Sequence, residues 1–153
     1  MERIASFEVD HTKLLPGLYL SRRDGDIVTL DLRLKRPNTG DLLSNAEMHS
    51  VEHLIATLLR NSADKDAVIY FGPMGCQTGF YFLFDNRLLS VEGAVELVKE
   101  VFKAASEYAG AMPGKSAAEC GNYANLDLET GKAVCRFYCG VIQDWTVERL
   151  AYD

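Results

Sequence analysis

His49-Ser50-Val51-Glu52-His53 places two of the chain's three histidines four residues apart, with a glutamate beside the second. On a helix, positions i and i+4 lie one turn apart on one face, so two imidazoles there can reach one metal ion. Neutral imidazole suits borderline divalent metals. A carboxylate at Glu52, near but not on the metal, can carry a proton for a bound water or substrate. The order is His-x-x-Glu-His. A tetrahedral site with one open position needs a third protein ligand, and His11, Cys76 and Cys120 are the candidates. Cys120 lies in the loop Glu119-Cys120-Gly121-Asn122-Tyr123, where the glycine allows close backbone approach. Cys76 follows Gly72-Pro73-Met74-Gly75 in another loop. Residue chemistry alone does not rank the two. The spacing also fits a plain solvated helix face: Val51, Ile55 and Leu58 centre the apolar stripe, and His49, Glu52, His53 and Arg60 lie on the other side. If that side is a site, a loop or a second subunit has to cover it.

The elements that must hold these residues are legible from periodicity. Ile27–Leu34 reads as a strand ending before Pro37, and Gly17–Leu20 as a shorter one. Arg23-Asp24-Gly25-Asp26 supplies turn chemistry between them, so the pair is an expected antiparallel hairpin. Ser44-Asn45-Ala46-Glu47 has capping-box form, and Met48, Val51, Leu54, Ile55, Leu58 and Leu59 follow at helical spacing. Ala67–Phe71 and Phe80–Phe84 are β-rich runs, the second expected to pack on both faces. Ser90 can cap a helix with Val91, Val95, Val98, Val101, Phe102 and Ala105 as its apolar set. Gly110–Gly121 is loop-like. A last helix is expected from about Asp127 to Val141, with Val134, Phe137, Tyr138 and Val141 facing inward. This pattern predicts an α+β fold: a mostly antiparallel β-sheet covered by helices on one face.

Composition narrows the class. The 153 residues fit one domain, 1–153, with a real core. A net charge of −6 and the absence of any basic run argue against nucleic acid or an anionic membrane as partner. The first residues lack the apolar core of a signal peptide, and no segment approaches the ~20 apolar residues of a membrane span. A cytoplasmic protein is expected. The four cysteines, Cys76, Cys120, Cys135 and Cys139, are then free thiols, ligands or catalysts rather than disulfides. Cys135 and Cys139, with no further ligand near them in sequence, read as core or half-buried residues.

Five motifs in order carry a resemblance. They are Ser6-Phe7-Glu8-Val9-Asp10-His11, Leu32-Arg33-Leu34-Lys35-Arg36-Pro37-Asn38, His49-Ser50-Val51-Glu52-His53-Leu54, Gly72-Pro73-Met74-Gly75-Cys76-Gln77-Thr78-Gly79 and Glu119-Cys120-Gly121-Asn122-Tyr123. Together they resemble the LuxS family of S-ribosylhomocysteine lyases. The resemblance implies a metal held by His49, His53 and Cys120, iron(II) natively with zinc or cobalt as substitutes. It implies Glu52 and Cys76 as proton carriers, and Ser6, His11 and Arg33 as residues lining the substrate pocket. It also implies a homodimer with active sites at the subunit interface. The implied reaction is two aldose–ketose shifts along the ribose and a β-elimination. The products are homocysteine and 4,5-dihydroxy-2,3-pentanedione, the precursor of a quorum-sensing signal.

Two departures stand out. Where family members often have Asp-Ile-Ser before Pro-Met-Gly-Cys, this chain has Tyr70-Phe71-Gly72, which bears on recognition of the substrate's amine. Ser50-Val51 replaces the commoner Thr-Leu. Two rival functions share the histidine motif: a small metallopeptidase, which needs a downstream helical carboxylate ligand, and a purely structural metal, which needs a fourth protein ligand.

Overall fold

Ser44 starts the first helix as its residue type demands. Its Oγ accepts from the Glu47 N–H at 3.1 Å, and the Glu47 carboxylate accepts from the Ser44 N–H at 2.9 Å. That reciprocal cap satisfies two backbone groups a helix start otherwise leaves open. Helix α1 then runs Asn45–Arg60. The computed structural model describes all residues, 1–153. Strands β1 (Gly17–Asp24), β2 (Ile27–Arg33), β3 (Val68–Pro73) and β4 (Gly79–Asp85) form one antiparallel sheet in the order β1-β2-β4-β3. Helix α2 covers Val91–Ser106 and α3 covers Leu128–Ile142. Ser90 caps α2 through the Gly93 N–H, and Asp127 caps α3 through the Thr130 N–H.

The expected hairpin forms, with β1 longer than its apolar start suggests. Gly25 at the tip has φ of +59°, a conformation glycine adopts without steric cost. Val28, Leu30 and Leu32 of β2 and Phe80, Phe82 and Phe84 of β4 are fully buried against Val51, Leu54, Val95, Val98, Phe102 and Tyr138 of the three helices. Phe71 stacks on Phe80 at 5.2 Å and meets Phe102 edge-on, tying the sheet to α2. The α+β expectation, helices on one face of an antiparallel sheet, is what the chain forms. No helix is long and apolar enough to cross a membrane.

Two inward assignments are corrected. Phe137 is 53% exposed. The buried stripe of α3 is Gly131, Val134, Cys135, Tyr138 and Ile142, and Phe137 sits about 120° around the helix from its centre. β4 is not packed on both faces: Tyr81 and Leu83 are half-buried, because helices cover only the side that Phe80, Phe82 and Phe84 face. By strand alternation Thr29, Asp31 and Arg33 lie on this second face with Tyr81.

Candidate functional site

Helix α1 presents His49 and His53 on one side, as their spacing requires, with ring centroids 4.6 Å apart. The long loop between α2 and α3 folds over them. Its anchor is Ser50, fully buried one residue after His49, whose Oγ accepts from the Asp127 N–H at 2.9 Å. Gly131 lets α3 approach α1 closely. A Cβ there would lie 2.8 Å from a Leu54 methyl and 3.1 Å from Ser50 Cβ. With the loop so held, Cys120 Sγ comes to 3.3 Å from His49 Nε2. One ligand atom from each of His49, His53 and Cys120 lies within 4.8 Å of the others, and all three residues are half-buried. The loop therefore supplies cover for the polar face of α1.

The far nitrogens of both rings are engaged. His49 Nδ1 is 2.6 Å from Asn125 Oδ1, and His53 Nδ1 is 2.9 Å from the Pro113 carbonyl. An imidazole whose Nδ1 donates to oxygen carries its proton there and offers the Nε2 lone pair inward. The Asn122 N–H donates to Cys120 Sγ at 3.4 Å. Two imidazoles and a sulfur converging, each with an outer partner, can hold one divalent ion and leave a position open. Glu52 does not join the converging set.

Cys76 belongs to a second cluster. The turn from β3 to β4 closes through Met74 N–H to Gly79 O at 2.9 Å, and Gln77 takes φ of +65°. A left-handed φ at a non-glycine residue is strained by about 1 kcal/mol, and it sits beside the exposed Cys76. Arg33 Nη1 donates to Thr78 Oγ1 at 2.8 Å and lies 3.8 Å from Cys76 Sγ, which is itself 3.0 Å from Thr78 Oγ1. The rest of the guanidinium is clamped by Asp31, Nε to Oδ1 at 3.1 Å and Nη2 to Oδ2 at 2.6 Å. Both side chains are nearly inaccessible, at 3% and 1% exposure. Burial opposes the Arg33 charge, but the Asp31 carboxylate outweighs it and holds Arg33 above its ordinary value. Tyr152, from the segment after α3, donates to Asp31 Oδ2 at 2.7 Å and stacks on Tyr19. Burial and then the Asp31 charge push the Tyr152 phenol far above its usual range.

Ser6 lies in the short turn Ala5–Phe7, and His11 Nδ1 bonds only locally, to Val9 O at 2.8 Å. The protomer joins neither to either cluster by a hydrogen bond. Of the expected site residues, then, one set of three converges, Arg33 and Cys76 pair elsewhere, and Ser6 and His11 stay apart. Asp31, Thr78, Asn125 and Tyr152 were not foreseen. Only Asp31 left a readable signal, an opposite charge two positions from Arg33 on one strand face. The Tyr70 ring and hydroxyl lie over Gly72, where a Cβ would meet them unless the exposed tyrosine side chain moved aside. Cys135 is fully buried, and burial pushes its thiol far up, in keeping with a core role.

An antiparallel sheet with helices on one face, carrying a two-histidine, one-cysteine group able to hold a metal ion on a helix that also bears Glu52, defines a small α+β domain with a candidate metal centre. Comparison with known proteins makes this specific. The family model described as S-ribosylhomocysteinase (LuxS) matches residues 4–148, and the chain belongs to that family of lyases. It is 45% identical over 156 residues to the S-ribosylhomocysteine lyase of Finegoldia magna, covering 99% of each chain. Matches of 44% and 43%, again covering 99% of each chain, are to the proteins of that name from Clostridium beijerinckii and Desulfotalea psychrophila.

Proposed function

We propose that residues 1–153 form one metalloenzyme domain that cleaves S-ribosylhomocysteine to homocysteine and 4,5-dihydroxy-2,3-pentanedione. The observation that carries this is the convergence of His49, His53 and Cys120 within 4.8 Å on the face that also bears Glu52. His49, His53 and Cys120 are the metal ligands; their nitrogen and sulfur donors suit zinc, cobalt or iron(II), and the family resemblance favours iron(II) among them. A bound divalent ion would supply Lewis-acid polarisation of the sugar's carbonyl and hydroxyl oxygens. The chain's own groups move the protons. Each aldose–ketose shift takes a proton from one carbon and returns one to the next, and the elimination takes another as the thioether carbon–sulfur bond breaks. Glu52 and Cys76 carry these protons. Arg33 brings Nη1 to 3.8 Å from Cys76 Sγ, the sulfur that acts as a base. Asp31, Thr78 and the strand hold that guanidinium in place.

Glu52 lies on α1 between the two ligand histidines, whereas Cys76 bonds with Arg33 and Thr78, and Ser6 and His11, the substrate-pocket residues of this reading, hydrogen-bond to neither group. A homodimer that lays one copy's surface on the other's resolves this. Ile4 and Phe7, which flank Ser6, are 52% and 64% exposed and give that surface apolar material to bury. Four free thiols fit a reducing compartment, the cytoplasm, and the product is the quorum-signal precursor.

The test is thiol release from S-ribosylhomocysteine by protein purified without oxygen and loaded with cobalt or iron(II). Release should require metal, and should fall at least about 100-fold in Glu52→Gln and in Cys76→Ala while both keep their metal. A Cys76→Ala protein that loses metal and melts would instead mark Cys76 as a fourth, structural ligand.

A further inference from the structure

The loop that delivers Cys120 also reaches around to the back of His49. Asn125 ends the short turn Tyr123–Asn125, and its Oδ1 is 2.6 Å from His49 Nδ1. The other ring nitrogen, Nε2, faces Cys120 Sγ at 3.3 Å. For Nε2 to offer a lone pair, the ring proton must sit on Nδ1, and an amide oxygen is a partner to which it can donate. His53 is held in the same sense, but by the main-chain carbonyl of Pro113, which a side-chain substitution does not remove. Asn125 is therefore the side chain through which the sequence itself sets the pose of a ligand.

The turn does not depend on that amide. Leu126 beside it is 1% exposed and anchors the turn in the core. The Asp127 N–H to Ser50 Oγ bond pins the same stretch to α1, and Asp127 caps α3. Asn125 is half-buried, and its side chain makes no hydrogen bond other than the one to His49. Its one side-chain hydrogen bond is to the back of a ligand.

We propose that Asn125 is a positioning residue of the metal centre, holding His49 as the Nδ1–H tautomer with Nε2 turned toward the ion. This rests on the reading of His49, His53 and Cys120 as ligands. It also makes the outer partner of His49 a neutral amide, which polarises the ring less than a carboxylate would.

The experiment measures cobalt(II) affinity by competition with a chelating dye at fixed pH, on the full chain, for wild type, Asn125→Leu and Asn125→Asp. Melting of each metal-free protein is recorded alongside. The leucine has nearly the shape of asparagine and no acceptor. It should weaken the cobalt Kd by about tenfold or more, with the metal-free melting unchanged. The aspartate accepts the same proton, and should restore wild-type affinity or exceed it. Unchanged affinity in the leucine variant would overturn the proposal, as would an equal loss in both variants, since the loop and not the acceptor would then be at fault. A wild-type protein that takes up no cobalt would overturn the ligand reading itself, and that result is visible before any substitution is compared.

Discussion

Gly114 offers a direct way to test whether the loop between α2 and α3 sets metal affinity. Its φ is +70°, and a Cβ on it would lie 2.7 Å from His53 Nδ1 and 2.9 Å from Cε1. Gly114→Ala therefore has two effects of different kind. The backbone must hold an L-residue in the left-handed region, which costs about 1 kcal/mol. The methyl group must also displace the imidazole, since real Cβ contacts do not close to 2.7 Å. Turning the ring breaks its bond to the Pro113 carbonyl, worth about 1 kcal/mol, and swings Nε2 off the point it shares with His49 and Cys120. Together these lower the melting temperature of the metal-free protein by about 4–8 °C for a chain of this size. Cobalt affinity should fall about 10- to 100-fold, the range seen when the outer partner of a ligand is lost. Gly25→Ala is the matched control. Its φ is +59°, but nothing lies within 4 Å of its Cβ position. It should carry the backbone cost alone and bind cobalt as wild type does. Dye competition and thermal melts on the three proteins decide the matter. Wild-type affinity in Gly114→Ala, or an equal affinity loss in Gly25→Ala, would refute the reasoning that the loop's backbone positions His53.

Tyr152→Phe keeps the ring stacked on Tyr19, 5.0 Å between centroids, but leaves Asp31 Oδ2 with Arg33 as its only donor. Removing a donor from a buried carboxylate should lower stability by about 1–3 kcal/mol, read as an earlier urea midpoint with unchanged slope. An unmoved midpoint would show that Tyr152 contributes nothing to holding Asp31. The dimer is checked by sedimentation equilibrium at micromolar concentration, where the mass should be twice that of the 17.0 kDa chain. A monomer under those conditions would count against the shared site.

The local elements of this fold were open to reading because their causes are local. Ser44 and Glu47 cap α1 through groups three residues apart, Ser90 and Asp127 do the same for their helices, and the apolar periodicities name the faces that meet. His49 and His53 are likewise a local pair, since one turn of helix brings them together whatever else the chain does. The third member is different. Cys120 lies 71 positions from His49, and only the packing of α3 on α1 at Gly131, with Asp127 tied to Ser50, brings its sulfur to 3.3 Å. Nothing in residue type separated it from Cys76; the order of five motifs did. Phe137 shows the opposite limit: it is apolar and near the stripe, yet lies outside because the helix turns it about 120° from the core. The outer partners were beyond reach altogether. Asn125 behind His49, the Pro113 carbonyl behind His53 and Tyr152 on Asp31 act across 60 to 121 positions. Such contacts are decided by where the tertiary structure sets backbone and side chains side by side. The sequence by itself determined which atoms could bind a metal or carry a proton. The tertiary structure decided which of them meet, because convergence in space depends on packing between elements and not on spacing along the chain.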